Sequence, residues 1–173
     1  MNAEDKRALL LDRLADHVLA EGLGGASLRP LARAVGTSDR MLLYYFPDKA
    51  TLIAAVLARI AERFAPMLDG LAPATPGPPA ALLALLPDLV AAPAFAPFMS
   101  LWLEMAALAA RGDAGCRAAA GAIGRDLLGW IAARLDLPEP ERGTVAARLF
   151  QQIEGAAVLR AIGLDDVVAR AML

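Results

Sequence analysis

Apolar residues in the first part of the chain recur every three or four positions, which is the spacing of one face of an α-helix. Over residues 3–21 this stripe includes Leu11, Leu14 and Val18, with polar residues opposite. Glycines after residue 21 are expected to end this helix, because glycine adopts the left-handed turn at little cost. The pattern predicts four N-terminal helices, namely residues 3–21, a short helix capped by Ser27, a third from a Thr37 or Ser38 cap to about Tyr45, and a fourth capped by Asp48.

Residues 66–79 are rich in proline and show no apolar period. Such a segment is typical of a link between two modules, and we expect one here. Beyond it the helical period returns, and residues 164–173 are expected to add a last turn or two. The further helices are predicted over residues 80–91, 94–111, 114–136 and 140–162. The predicted fold class is therefore all-α.

The composition agrees with an all-helical chain and excludes several kinds of site. Hydrophobic residues make up 58% of the 173, and the abundance of alanine and leucine among them favours helix. The single cysteine, Cys116, allows no intrachain disulfide and no cysteine-cluster metal site. The single histidine, His17, leaves little for zinc binding or histidine-based catalysis. We therefore predict no catalytic residues, no metal and no cofactor.

The sequence shows no segment that predicts export or membrane insertion. Residues 1–20 lack the basic stretch and unbroken apolar run of a secretory signal. The longest charge-free stretch, residues 70–87, is interrupted by prolines and cannot form a membrane-spanning helix. We expect a cytoplasmic protein without a membrane partner.

The segment from Ser27 to Phe46 carries the clearest functional signal. Two short helices meet at a tight turn around Gly36, and Ala32, four residues earlier, lets them approach closely. This is the geometry of a helix-turn-helix, whose second helix enters the major groove of DNA. The net charge of the chain is −2, but residues 27–50 hold four basic side chains against two acidic ones. Nucleic-acid binding needs such a local excess and not a positive total.

The third predicted helix divides into an inner and an outer face. Leu42, Tyr45 and Phe46 are expected to face the core. The positions left outside are Asp39, Arg40, Leu43 and Tyr44. Exposed apolar and aromatic side chains beside an arginine are costly on a soluble surface and useful against DNA. The alternative is an ordinary helical hairpin within a bundle.

Residues 25–52 resemble the N-terminal domain of the tetracycline-repressor-like (TetR-type) regulators. They are Gly-Ala-Ser-Leu-Arg-Pro-Leu-Ala-Arg-Ala-Val-Gly-Thr-Ser-Asp-Arg-Met-Leu-Leu-Tyr-Tyr-Phe-Pro-Asp-Lys-Ala-Thr-Leu. The family pattern has a Ser/Thr-capped helix, an Ala-x-x-x-Gly-x-Ser turn, a recognition helix ending in Tyr-Phe and a lysine opening the next helix. All are present in order. The resemblance, over roughly residues 5–60, implies a three-helix DNA-binding domain (1–47) and a helical ligand-binding and dimerisation domain (48–173, with 48–68 as connecting helix).

The same resemblance assigns roles to side chains of the helix-turn-helix. It places Arg40 at base edges, and its fork matches the O6 and N7 atoms of guanine. Tyr44, Lys49 and the start of the second helix would hold phosphates. The alternative for Arg40 is a solvated surface charge, and for Lys49 an ordinary lysine in the first turn of its helix. The implied DNA-binding set is Ser27, Arg29, Thr37, Ser38, Asp39, Arg40, Met41, Leu43, Tyr44 and Lys49.

One position departs from the family pattern. The usual Leu-Tyr-x-Tyr-Phe is Leu-Leu-Tyr-Tyr-Phe over residues 42–46, so Leu43 replaces a tyrosine that commonly contacts phosphate. Tyr44 remains available for such a contact. We expect the fold to be kept and the set of contacts to the DNA backbone to differ from the usual one of the family.

The second module carries large flexible and aromatic side chains in an alanine and leucine background. Such residues are suited to lining a cavity for a small, largely apolar ligand, with ordinary core packing as the alternative for each. Glu104 and Arg117 are candidate polar anchors for the ligand, and a solvated helix face is the alternative for Glu104. The candidate pocket set is Phe64, Met67, Phe95, Phe98, Met99, Trp102, Glu104, Met105, Arg117 and Trp130.

The last two long helices carry apolar and small residues suited to close helix contact. In TetR-type regulators this region forms the dimer interface, and a two-fold symmetric operator requires a dimer. Core packing within one chain is the competing interpretation. The candidate interface set is Ile123, Leu127, Ile131, Leu149, Ile153, Ala156 and Ala157.

Together these features predict a homodimeric regulator that is not an enzyme. By resemblance it would be a repressor that binds a palindromic double-stranded operator and leaves it when the ligand binds. Two alternatives stay open: a helical protein-interaction module without DNA binding, and an all-α enzyme, for which one histidine and one cysteine supply little.

Overall fold

A computed structural model describes residues 3–24, 26–70 and 75–171, with side chains described for 4–24, 26–70, 75–85 and 92–171. Over these ranges the chain forms nine α-helices. They are α1 (Ala3–Glu21), α2 (Leu28–Ala34), α3 (Asp39–Tyr45), α4 (Lys49–Asp69), α5 (Pro79–Ala91), α6 (Ala96–Ala110), α7 (Ala114–Ala132), α8 (Glu141–Ala161) and α9 (Asp165–Ala171). The predicted all-α class and the predicted order of helices are confirmed.

The caps predicted for α3 and α4 are formed. Ser38 has extended backbone angles, and its hydroxyl accepts a hydrogen bond of 3.2 Å from the Met41 amide. Asp48 accepts one of 2.7 Å from the Thr51 amide, which lowers the pKa of its carboxyl. Ser27 occupies the N-cap position of α2 without a side-chain cap bond. Both formed caps satisfy amides that a helix start leaves unpaired.

The link predicted over residues 66–79 begins too early. Helix α4 continues through Pro66 to Asp69, and Leu68 in its last turn is only 3% exposed. Proline removes one backbone donor from a helix, but burial of an apolar face offsets that loss. Residues 71–74 of the predicted link lie outside the described residues.

One compact unit comprises Met1–Pro66 and Ser100–Ala120. Within it α2 packs against both α1 and α3. Its fully buried side chains come from α1 to α4, and residues of α6 and the start of α7 add to the core. The central members are Leu14, Val18, Leu31, Leu42, Phe46, Leu52 and Val56.

The other unit comprises Met67–Met99 and Gly121–Leu173. Here α8 packs against α5 and α9, around a core of Leu82, Ile131, Leu135, Ala146, Leu149 and Ile153. These two units are defined by packing. The predicted division into a DNA-binding domain (1–47) and a ligand-binding and dimerisation domain (48–173) stays a prediction.

No single helix in the described part of the chain is long and apolar enough to cross a membrane. Helices α3 and α4 pass the same test of length and composition only when taken together, and they are bent by 72°.

Candidate nucleic-acid interface

The turn between α2 and α3 is built on Gly36. Its φ of +69° lies in the left-handed region, which glycine adopts without strain. The Thr37 amide donates to the Ala32 carbonyl at 2.9 Å and the Gly36 amide to that of Arg33 at 3.2 Å. This pair of bonds is a Schellman motif, which closes α2 and redirects the chain into α3.

Helix α3 has the two faces that the sequence predicts, with one correction. Leu42 and Phe46 are 0% exposed and fix the helix to the core. Tyr45, predicted to be in the core, is only half-buried, and its ring meets that of Tyr44 edge-on at 5.1 Å. The ring of Tyr44 therefore packs on its neighbour while most of the residue faces solvent.

The outer face of α3 exposes unusually large apolar side chains. Met41 is 41% exposed, Leu43 42% and Tyr44 74%, and Arg40 beside them is also exposed. The four form one surface on a helix of seven residues. The geometry makes this face free to meet another molecule.

Basic side chains flank this surface. Arg29 of α2, with 80% of its side chain exposed, lies 3.9 Å from the Asp39 carboxylate at the start of α3. Such a long, exposed pair holds the arginine only weakly, because solvent screens it. Lys49, at the start of α4, is exposed as well. Both cations are therefore available to an anionic partner.

Charged side-chain contacts join α1 to α4 within the same compact unit as α3. The guanidinium groups of Arg59 and Arg63 both donate to Asp12, and Arg63 also donates to Asp16 at 2.6 Å. The bonds from Arg59 and then Arg63 lower the pKa of Asp12 to about 2. Arg7 of α1 lies 4.9 Å from the centre of the Phe46 ring.

All ten residues predicted to bind DNA lie in this one unit, on α2 or its N-cap, on α3, in the turn between them or at the start of α4. Thr37 and Asp39 are half-buried, and the other eight are exposed. Their roles on DNA remain predictions. Sequence patterns did not indicate Arg7, whose partner Phe46 is 39 positions away, or the ion pairs of Asp12.

The predicted pocket residues divide between the units. Phe64, Trp102, Glu104, Met105 and Arg117 lie in the first, and Met67, Phe95, Phe98, Met99 and Trp130 in the second. Phe95 and Met105 are each 2% exposed. A ligand pocket formed by this set stays a prediction.

Three of these residues already have polar partners. Glu104 accepts a hydrogen bond of 2.7 Å from the Leu23 amide. Arg117 donates to the Ala109 carbonyl at 2.9 Å. Trp130 donates to Asp69 at 2.8 Å, and the Arg134 guanidinium, which also bonds to Asp69, lies 3.8 Å from the centre of its ring. These contacts explain the three side chains without a ligand.

Two clefts in the described residues, one within each unit, lie elsewhere. The first unit has a cleft of about 420 Å³ between α1 and α4, lined by Glu4, Arg7, Ala8, Leu11, Ala55, Ala58, Arg59 and Glu62. The second has one of about 160 Å³, lined by Leu83, Gln152, Gly155, Ala156, Leu159, Val168 and Ala171. Neither includes a residue of the predicted pocket set.

Most of the predicted interface residues are buried within one chain. Ile131, Leu149, Ile153, Ala156 and Ala157 are 6% exposed or less, because they form the core of the second unit. They therefore have little surface to offer a partner. Ile123 and Leu127 are half-buried, and their place in a dimer interface stays a prediction.

Comparison with known proteins identifies the N-terminal segment. Residues 13–56 match the family described as bacterial regulatory proteins, tetR family. This confirms the resemblance noted in the sequence. Regulators of this family are DNA-binding proteins and not enzymes. A comparison with the curated proteins finds no match.

Solved structures share the fold along nearly the whole chain. A transcriptional regulator from Rhodococcus sp. Rha1 has a TM-score of 0.71 at 23% identity, covering 96% of this chain and 91% of its own. The multidrug binding protein EbrR, complexed with imidazole, has 0.68 at 20% identity, with 96% and 89% covered. A putative tetR transcriptional regulator from Streptomyces avermitilis has 0.66 at 23%, with 93% and 88% covered. The chain thus has the all-helical fold of these regulators, with an N-terminal helix-turn-helix.

Proposed function

Because residues 13–56 are a tetR-type DNA-binding segment, we propose that the chain is a homodimeric repressor that releases a palindromic operator when a small, largely apolar ligand binds. The observation that carries DNA binding is the outer face of α3. Arg40, Met41, Leu43 and Tyr44 are exposed there, while Leu42 and Phe46 on the opposite side are fully buried. A cytoplasmic location is part of the same proposal.

On DNA, α3 enters the major groove with its N-terminal residues toward the bases. Arg40 pairs with guanine through two parallel hydrogen bonds, and Ser38, Asp39 and Met41 line the adjacent base edges. Arg29, Tyr44 and Lys49 bind phosphates. Ser27, Thr37 and Leu43 lie against the sugar-phosphate backbone of the DNA. The exposure of the cations on α2, α3 and α4 supports this arrangement.

A palindromic operator presents two half-sites one helical turn apart, about 34–36 Å, so two copies of α3 must be joined. An exposed stripe on α8 supports such a dimer. Thr144, Arg148, Gln151, Gly155, Val158 and Ile162 are all exposed and follow the three- and four-residue spacing of one helix face. Val158 is 47% and Ile162 66% exposed, and covering these apolar side chains favours association. We therefore propose this stripe as the interface, and we keep Ile123 and Leu127 as further candidate interface residues.

Release by a ligand follows from a population shift. A ligand that binds better to a dimer whose two α3 helices no longer match successive grooves lowers the fraction able to bind DNA. The candidate pocket set supplies aromatic and methionine side chains suited to an apolar molecule. EbrR, whose fold is similar, is a multidrug binding protein solved with imidazole, which supports a ligand for this fold.

The test is selection of bound fragments from sheared genomic DNA by the purified protein, followed by sequencing. The wild type is compared with Arg40→Ala, and Arg13→Ala, an exposed arginine on α1, is the matched control. We expect a palindromic site that the wild type and Arg13→Ala enrich and Arg40→Ala loses. Absence of enrichment by the wild type at low salt, where phosphate contacts are strongest, would refute DNA binding and favour a protein-interaction module.

A further inference from the structure

At the end of α1, one backbone amide bonds to a side chain from a distant part of the sequence. Gly22 has a φ of +74°, and its amide donates to the Val18 carbonyl at 2.9 Å. This single bond is the αL type of helix ending, whereas in a Schellman ending the next amide, that of Leu23, would bond to the Val18 carbonyl. Here the Leu23 amide instead donates to the Glu104 carboxylate of α6 at 2.7 Å. Both residues lie in the same compact unit.

The other left-handed glycines in the described residues close their helices internally. After Gly36 the Thr37 amide bonds to Ala32, after Gly112 the Asp113 amide bonds to Leu108, and after Gly163 the Leu164 amide bonds to Leu159. Each is the long bond of a Schellman motif, made to the helix's own carbonyl. The ending of α1 differs from these three because a side chain 81 positions later supplies the acceptor.

The turn is shaped to admit this carboxylate. A Cβ at Gly22 would lie 2.6 Å from Glu104 Oε2, closer than van der Waals contact permits. A Cβ at Gly24 would lie 3.7 Å from Oε1, in ordinary contact. Glycine at position 22 therefore serves two purposes: it adopts the left-handed backbone conformation, and it leaves room for Glu104 Oε2.

The turn leads directly into the helix-turn-helix. Ala26, 4% exposed, and Ser27 connect it to α2, which packs against α1 and α3. Helices α2 and α3 have seven residues each, too few to be stable alone, so packing and their connections determine their position. Whatever fixes this turn helps to fix the surface of α3.

We propose that Glu104 is a positioning residue for DNA binding: its carboxylate holds the α1–α2 turn and keeps the helix-turn-helix in its binding geometry. This role rests on the proposed function. It replaces the ligand-anchor role that the sequence suggested for Glu104. The carboxylate does not touch DNA, so its removal acts through the fraction of molecules with a correctly placed α3.

The experiment compares four full-length proteins: wild type, Glu104→Gln, Glu104→Leu and Glu21→Ala. Glutamine keeps an acceptor oxygen, and leucine keeps similar bulk without one. Glu21→Ala removes an exposed carboxylate from the same end of α1 and is the control. Exchange of the Leu23 amide is followed by NMR without DNA, and the Kd for the selected operator duplex is measured alongside.

We expect Glu104→Leu to speed Leu23 exchange at least about tenfold, since hydrogen bonds to charged groups are the stronger ones. It should also raise the operator Kd about three- to tenfold while the circular dichroism spectrum stays helical. Glu104→Gln should have a Leu23 exchange rate and an operator Kd close to those of the wild type, and Glu21→Ala should match the wild type in both. If Glu104→Leu lowers the melting temperature, both readings are taken at a temperature where all four proteins are folded.

If the wild type binds the operator and Glu104→Leu binds it with the same Kd, the positioning role is overturned and the proposed function is not. Unchanged Leu23 exchange in Glu104→Leu overturns it as well, because the anchor would then be absent. A wild type that binds no duplex overturns the proposed function, and the positioning role with it.

Discussion

Asp12 and Arg59 are joined by two hydrogen bonds across α1 and α4, 2.8 Å from Nε to Oδ1 and 3.2 Å from the terminal nitrogen to Oδ2. This is the paired geometry in which guanidinium and carboxylate bind most strongly. Arg63 adds a further bond to the same carboxylate. The cluster joins α1 and α4, the helices that precede and follow the helix-turn-helix along the chain.

The cluster predicts how stability depends on pH. The folded-state pKa of Asp12 is about 2, below the ordinary value of 3.8, so the stabilisation is complete above pH 3.8 and is lost as pH falls toward 2. Asp12→Asn should therefore lower the free energy of unfolding by about 1 kcal/mol at pH 7, since partial exposure screens the pair.

Urea titrations at pH 7, 5 and 3 measure this effect. The gap between wild type and Asp12→Asn should be equal at pH 7 and 5 and smaller at pH 3. Asp136→Asn, at an exposed carboxylate, is the control and should show no gap. A gap that grows toward pH 3 would contradict the lowered pKa of Asp12.

Leu43 offers a gain-of-affinity test of the DNA contacts. It is 42% exposed, so Leu43→Tyr should leave the fold intact and restore the phosphate contact common in the family. We expect an operator Kd about three- to tenfold lower, from one added hydrogen bond to an anion. Tyr44→Phe should raise the Kd by a similar factor, measured by fluorescence anisotropy at fixed salt. Equal affinity of all three proteins would remove residues 43 and 44 from the contact set.

Gly36 tests the turn between α2 and α3. A Cβ there meets no atom within 4 Å, so Gly36→Ala adds no clash and only forces alanine to a φ of +69°. We expect a loss of about 1 kcal/mol in the free energy of unfolding. Gly36→Asn should cost less, because asparagine tolerates this conformation. Gly129→Ala, inside α7 and also without close atoms, should stabilise by about 0.5–1 kcal/mol. A stabilising Gly36→Ala would contradict the turn geometry.

The stripe on α8 predicts the oligomeric state. Ile162→Glu places a charge in the proposed interface and should convert a dimer to a monomer in analytical ultracentrifugation. Leu9→Glu is the matched control, because Leu9 is an exposed leucine on α1, outside the stripe. A dimer that persists in Ile162→Glu, or a wild type that is monomeric at micromolar concentration, would refute this interface.

Local chemistry made part of this structure predictable. The caps of Ser38 and Asp48 and the turn at Gly36 depend on residues within five positions of one another, so their sequence signals are local. Apart from Tyr45, which is half-buried, the two faces of α3 followed from its period. The continuation of α4 past Pro66 was missed because it depends on burial of Leu68.

Contacts between distant residues were beyond such reasoning. The role of Glu104 depends on an amide 81 positions away, and no local pattern links the two. Ile131 and Ile153 resemble interface residues as much as core residues, since both environments favour apolar side chains. Only packing showed that they are core.

Helix α3 separates the residues that hold it from those that meet its surroundings. Leu42 and Phe46 are its fully buried attachments, and the side chains of Arg40, Met41, Leu43 and Tyr44 make no demand on the core. Substitutions on the outer face are therefore expected to cost little stability, and under the proposed function each alters what the helix recognises on DNA. A lineage carrying this domain can change its target sequence step by step without passing through an unfolded protein.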